Sequence, residues 1–174
     1  MKYVALLRGI NVGGKSTLRM TELKILLEKT GLADVQTYIN SGNVIFTSEK
    51  SNTQLESELQ KLLEKTFFPI TTIVLSQTQL ATVLTKAPAN WNHGDLRRYV
   101  AFLKSPTTPE QVVHAAKPKE GIDSIEKGPG VVYMTTSLAG ITKSGFPKLS
   151  STPLYQQITI RNFTTVQKLY ALMN

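Results

Sequence analysis

Apolar and polar positions along the chain alternate between strand-like runs and helical spacing, and the switches mark out the elements. Tyr3 to Leu7 is a short apolar run between Lys2 and Arg8, the pattern of a buried strand. Leucines and isoleucines at helical spacing predict a helix over Thr21 to Glu28, with Gly31 placed to end it. Val35 to Ile39 and Val44 to Thr47 are β-branched and aromatic runs on either side of Asn40-Ser41-Gly42-Asn43, which reads as a hairpin turn. Thr53 to Phe67 predicts an amphipathic helix with Leu55, Leu59, Leu62 and Leu63 on one face. A strand at Ile70 to Leu75 and a helix from Thr78 to Leu84 complete the order β-α-β-β-α-β plus one helix.

The pattern then repeats. Arg98-Tyr99-Val100-Ala101-Phe102-Leu103-Lys104 aligns with Lys2-Tyr3-Val4-Ala5-Leu6-Leu7-Arg8, with four identities and three conservative replacements. Gly130 to Thr135 parallels Gly42 to Thr47, Ile158-Thr159 parallels Ile70-Thr71, and the amphipathic segment Phe163 to Met173 parallels the helix at Thr78. Common order argues for internal duplication. The expected fold is α+β, with two tandem ferredoxin-like (split βαβ) units built on antiparallel sheets. Residues 1–88 form the first, 89–96 a turn-rich linker, and 97–174 the second.

The repeat also isolates a difference. Between first strand and first helix the second half needs only Ser105-Pro106-Thr107-Thr108, whereas the first half carries the run Gly9 to Met20. That run matches the phosphate-binding pattern G-x-x-x-x-G-K-[ST] from Gly9 to Ser16 letter for letter. Three features oppose a true P-loop: helical periodicity begins only near Met20, the strands pair as hairpins, and no apolar strand ends in an aspartate suited to magnesium.

The same residues carry a more specific resemblance. Tyr3 to Lys15, Met20 and Leu23, Thr37 to Phe46, and Arg161 to Leu169 together resemble the bacterial family called domain of unknown function 1697. Phe163 stands where that family usually has Trp. The resemblance spans essentially the whole chain and implies a tandem ferredoxin-like protein without an assigned activity.

Topology gives the glycine run a neighbour. In a split βαβ unit the first and third strands are antiparallel, so the exit of the first lies beside the entry to the third. Arg8, Gly9, Asn11, Gly13, Gly14 and Lys15 should therefore share one edge with Asn40, Ser41, Gly42 and Asn43, a set suited to a phosphate or carboxylate. Arg161, where the last strand enters the last helix, is a further candidate, while Asn162 beside it reads as a helix N-cap. Turn formation by Gly42 and Asn43, and capping of the loop by Asn11, are the competing structural roles.

Composition narrows the functions. Cysteine is absent, which removes disulfides and thiolate chemistry, and His93 and His114 alone do not make a metal site. No metal or cofactor is expected, no recognisable catalytic constellation stands out, and no segment reaches membrane-spanning length, so a cytoplasmic protein is expected. Twenty Lys and Arg against twelve Asp and Glu give a net charge of +8, and no acidic residue follows Glu126. Anionic partners are favoured. The sequence thus predicts a binding module for a small anionic, phosphate-bearing ligand at Arg8–Lys15. The alternatives are a single-stranded nucleic-acid-binding protein using Tyr3, Tyr38, Phe46, Tyr99, Phe102 and Tyr133, a P-loop-like phosphoryl-transfer enzyme using Lys15 and Ser16, and an oligomerisation module pairing through sheet edges.

Overall fold

The computed structural model describes residues 1–12, 16–92 and 94–174. By internal packing the chain divides into two compact units, Met1–Leu80 with Lys168–Asn174, and Ala81–Gln167. Both are ferredoxin-like.

In the first unit the elements are β1 (Lys2–Leu7), α1 (Met20–Glu28), β2 (Ala33–Tyr38), β3 (Asn43–Thr47), α2 (Asn52–Thr66) and β4 (Thr72–Ser76), followed by α3 (Gln77–Thr85). The sheet order is β2-β3-β1-β4 with every pair antiparallel. Tyr3, Ala5 and Leu7 share one face of β1 by strand alternation and belong to a core with Leu23 and Leu27 of α1 and Leu55, Leu59 and Leu63 of α2. Helix α2 starts where Ser51 and Gln54 cap each other: Gln54 N–H donates to Ser51 Oγ at 3.4 Å, and Ser51 N–H donates to Gln54 Oε1 at 3.1 Å.

The second unit contains β5 (Leu96–Leu103), α4 (Pro109–Ala116), β6 (Asp123–Gly128), β7 (Val131–Ser137) and β8 (Ile158–Asn162), with α5 (Phe163–Leu172) following directly. Its sheet order is β6-β7-β5-β8, again wholly antiparallel. Thr108 and Gln111 repeat the reciprocal cap at α4, and Pro109 occupies the first turn, where its missing N–H costs nothing. Trp91, in the segment expected as linker, is buried edge-on against Tyr133 and Phe163, with centroids 5.3 and 4.7 Å away. The Tyr133 hydroxyl donates to Val83 O at 2.6 Å.

Strand register tests the repeat directly. Leu6 pairs with Asn43 in the first sheet and Phe102 with Val131 in the second, which are the equivalences the sequence predicts. The third equivalence shifts by two residues. Leu7 pairs with Thr72 and Leu103 with Ile158, so Ile158 corresponds to Thr72 rather than Ile70. Ile70 is buried ahead of the strand, and Thr71 O accepts Arg8 N–H at 2.9 Å. Burial without strand pairing misaligned the pattern there.

The units also differ between their third and fourth strands. Where the first has the fifteen-residue α2, the second has three 3-10 segments, Leu138–Lys143, Phe146–Ser151 and Pro153–Gln157. Gly140, Gly145, Pro147 and Pro153 punctuate this stretch and deny it a continuous helix.

Candidate functional site

The long connection from β1 to α1 is anchored at both ends by apolar side chains. Ile10 and Leu18 are buried in the core of the first unit, while Val12 between them is 67% exposed. Asn11 N–H donates to Ser16 O at 3.1 Å, closing the loop on itself.

The Asn11 side chain then joins the loop to its neighbour. Its amide nitrogen donates to Leu18 O and to Asn40 O, both at 2.9 Å, and its carbonyl oxygen accepts Leu18 N–H at 2.8 Å. Asparagine suits this position because it tolerates the left-handed backbone found here, φ 55°. Asn11 thus lies beside Asn40, where the first strand's exit meets the 40–43 turn. Leu7 N–H also donates to Gly42 O at 2.7 Å.

Gly42 is the close approach in this junction. At φ +79° it needs a left-handed backbone, and a Cβ placed there would lie 2.8 Å from both Leu7 Cβ and Ile10 Cδ1. Asn43 is buried, its amide nitrogen donating to Tyr38 O at 3.1 Å and to Ser41 Oγ at 3.0 Å. Asn11 and Asn43 thus place their amides on local partners, and their contribution to the site is position. Arg8 is half-buried, Ser41 is half-buried, and Gly9 and Asn40 are exposed on the same edge. Gly13, Gly14 and Lys15 lie outside the described residues, as does His93.

Left-handed residues gather at this edge: Gly9, Asn11 and Ser16 in the loop, Ile39 and Gly42 in the turn. Ile39 is the costly one. A β-branched side chain at φ 48° is strained by about 1–3 kcal/mol, and strain of this kind concentrates at functional sites. Helix α1 begins at Met20, and the Arg19 before it makes no side-chain cap, leaving the first N–H groups to other partners.

Arg161 belongs to the second unit. It lies in β8, is 8% exposed, and donates from one guanidinium nitrogen to Thr159 Oγ1 at 2.8 Å and Ile160 O at 3.0 Å. Burial pulls its pKa down to about 10, which leaves it a cation at neutral pH. Asn162 ends β8 and leads directly into α5.

The alternative readings meet specific geometry. Helix α1 starts at Met20, after Ser16 has already taken a left-handed backbone, and β1 is antiparallel to both its neighbours, unlike the strand–loop–helix of a P-loop. Of the six rings that could stack bases, Tyr3, Phe46, Phe102 and Tyr133 are packed inside, while Tyr38 and Tyr99 are half-buried.

Sequence reasoning missed a second cluster. In the second unit the Asp123 carboxylate accepts four hydrogen bonds, from Thr136 Oγ1 at 2.9 Å and Ser144 Oγ at 2.8 Å on one oxygen, and from Lys119 N at 2.8 Å and Gly145 N at 2.7 Å on the other. Partial burial pushes its pKa up, but these bonds, led by Lys119 and Gly145, outweigh burial and hold it below the usual carboxylate range. The signal available in the sequence was the glycine- and proline-punctuated stretch after β7. Among the described residues, no group of three or more His, Cys, Asp or Glu could hold a metal ion. No helix there is long and apolar enough to cross a membrane.

Comparison with known proteins places this geometry. No curated protein matches the chain significantly. A solved structure, that of conserved bacterial protein SP0830 from Streptococcus pneumoniae, superposes with a TM-score of 0.89 at 31% identity, covering 99% of this chain and 98% of that one. The pattern of the proteins of unknown function DUF1697 matches residues 1–133, and the chain belongs to that family.

Proposed function

We propose that the chain is a binding protein for a small anionic, phosphate-bearing ligand, held where the β1–α1 loop meets the β2–β3 turn. The observation that carries this reading is the Asn11 side chain, which fastens an insertion lacking a counterpart in the second unit onto the turn at Asn40. These bonds hold Asn11, Leu18 and Asn40 in place relative to one another, which lowers the entropy cost of holding a ligand beside them.

Recognition would come from the Arg8 guanidinium and from backbone N–H groups at Gly9 and around Asn40–Ser41, on an edge rich in left-handed residues. Gly13, Gly14 and Lys15 are expected to complete the set.

Thermal unfolding with and without inorganic pyrophosphate and ATP tests the reading. A ligand at 100 times its Kd adds about 2.7 kcal/mol, so a rise in Tm of several degrees is expected, and Arg8→Ala should remove most of it. Unchanged Tm with both compounds, or a full shift in Arg8→Ala, would sink the proposal.

A further inference from the structure

The second unit contains a pocket of about 250 Å³ between its sheet and the 3-10 segments that stand in place of a helix. It sits just below the roughly 300 Å³ at which drug-sized pockets begin, so it suits a fragment-sized guest. Tyr99, Met134, Phe146 and Tyr155 give it aromatic and thioether walls, and Thr136, Ser144, Ser150 and the two tyrosines carry hydroxyls. Among the described residues, no Lys, Arg, His, Asp or Glu lines it. A charged guest would lose water without gaining a counter-charge at the wall.

The two hydroxyls beside Asp123 set the polarity of the guest at their end of the pocket. Thr136 and Ser144 both donate their only hydroxyl proton to Asp123 Oδ1, and a carboxylate already taking four donors can only accept. Ser144 Oγ also receives Phe146 N–H at 3.2 Å. The two hydroxyl oxygens lie 3.4 Å apart, and what the pair has left to offer is lone-pair capacity, chiefly on Thr136. A guest group seated against Thr136 must therefore donate.

We propose that this pocket binds a neutral aromatic molecule carrying an N–H or O–H donor, with the Thr136 hydroxyl as acceptor and the rings and Met134 as the apolar wall. The site is separate from the loop of the first unit and does not depend on the anion-binding reading.

Amide NMR titration of the full chain with indole and with 1-methylindole tests it. Indole is expected to shift the Thr136, Ser144 and Ile160 amides saturably. 1-Methylindole, matched in shape but lacking the donor, should bind roughly 3- to 10-fold more weakly, the worth of one hydrogen bond. Thr136→Val should erase that preference. Ser150→Trp, at an exposed position on the rim, should weaken indole binding while leaving the fold intact, and keeps the test alive if Thr136→Val does not fold. Equal affinity for the two compounds, no saturable shift at those amides, or indole binding unaffected by Ser150→Trp would overturn the proposal.

Discussion

At the scale of single residues, the candidate site depends on positions whose backbone no ordinary side chain would choose. Gly42 and Gly31 both have positive φ, +79° and +85°, but they differ in space. A Cβ at Gly31 meets nothing within 4 Å, so Gly31→Ala carries only the left-handed penalty of about 1–2 kcal/mol. At Gly42 the same penalty is joined by collision with Leu7 and Ile10, and overpacking adds about 1–3 kcal/mol. Urea unfolding of the two variants should rank Gly42→Ala as the more destabilised by at least about 1 kcal/mol. Equal losses would mean that the turn does not press on the loop. The spacing of Asn40-Ser41-Gly42-Asn43 announced a turn, because glycine and asparagine are the residues that tolerate it. The strain at Ile39 could not be read ahead, since β-branched residues are expected to avoid that backbone.

At the scale of elements, β1 was legible as a continuous apolar run, buried from Tyr3 to Leu7, and α2 because it carries a helical period and buries one face. The 3-10 stretch after β7 was not, because glycine and proline interrupt any period and the segment is held by polar contacts together with scattered apolar anchors such as Leu149 and Phe146. Asp123 is the centre of those contacts, tying β6 to β7 through Thr136 and to the 3-10 region through Ser144 and Gly145. Its folded pKa is lowered, so its stabilisation is complete above the unfolded value of 3.8 and is lost as pH falls through the lower folded value. Asp123→Ala should cost about 1–2 kcal/mol at neutral pH, since water reaches the carboxylate and replaces part of each bond. The gap between wild type and variant should shrink below pH 3.8. Denaturant titrations at pH 7 and pH 3 measure it, and a gap independent of pH would remove Asp123 from this role.

At the scale of the whole chain, order was more informative than composition. The repeated sequence of elements predicted two ferredoxin-like units, and the shared β1–β3 and β5–β7 register bears out that architecture. Composition gave only a preference for anions, through a net charge of +8 and an acid-free stretch after Glu126. Where an anion would sit followed from topology, which puts the exit of β1 beside the entry to β3, and from the insertion that one unit has and the other lacks. The most direct measurement is an amide NMR titration of the intact chain with inorganic pyrophosphate at low salt, followed through the signals of Gly9, Asn11 and Gly42. Saturable shifts confined to that edge, weakened by added salt and lost in Arg8→Ala, are the predicted result. Shifts absent there, or scattered over the basic surface without saturating, would contradict an anion site at the loop.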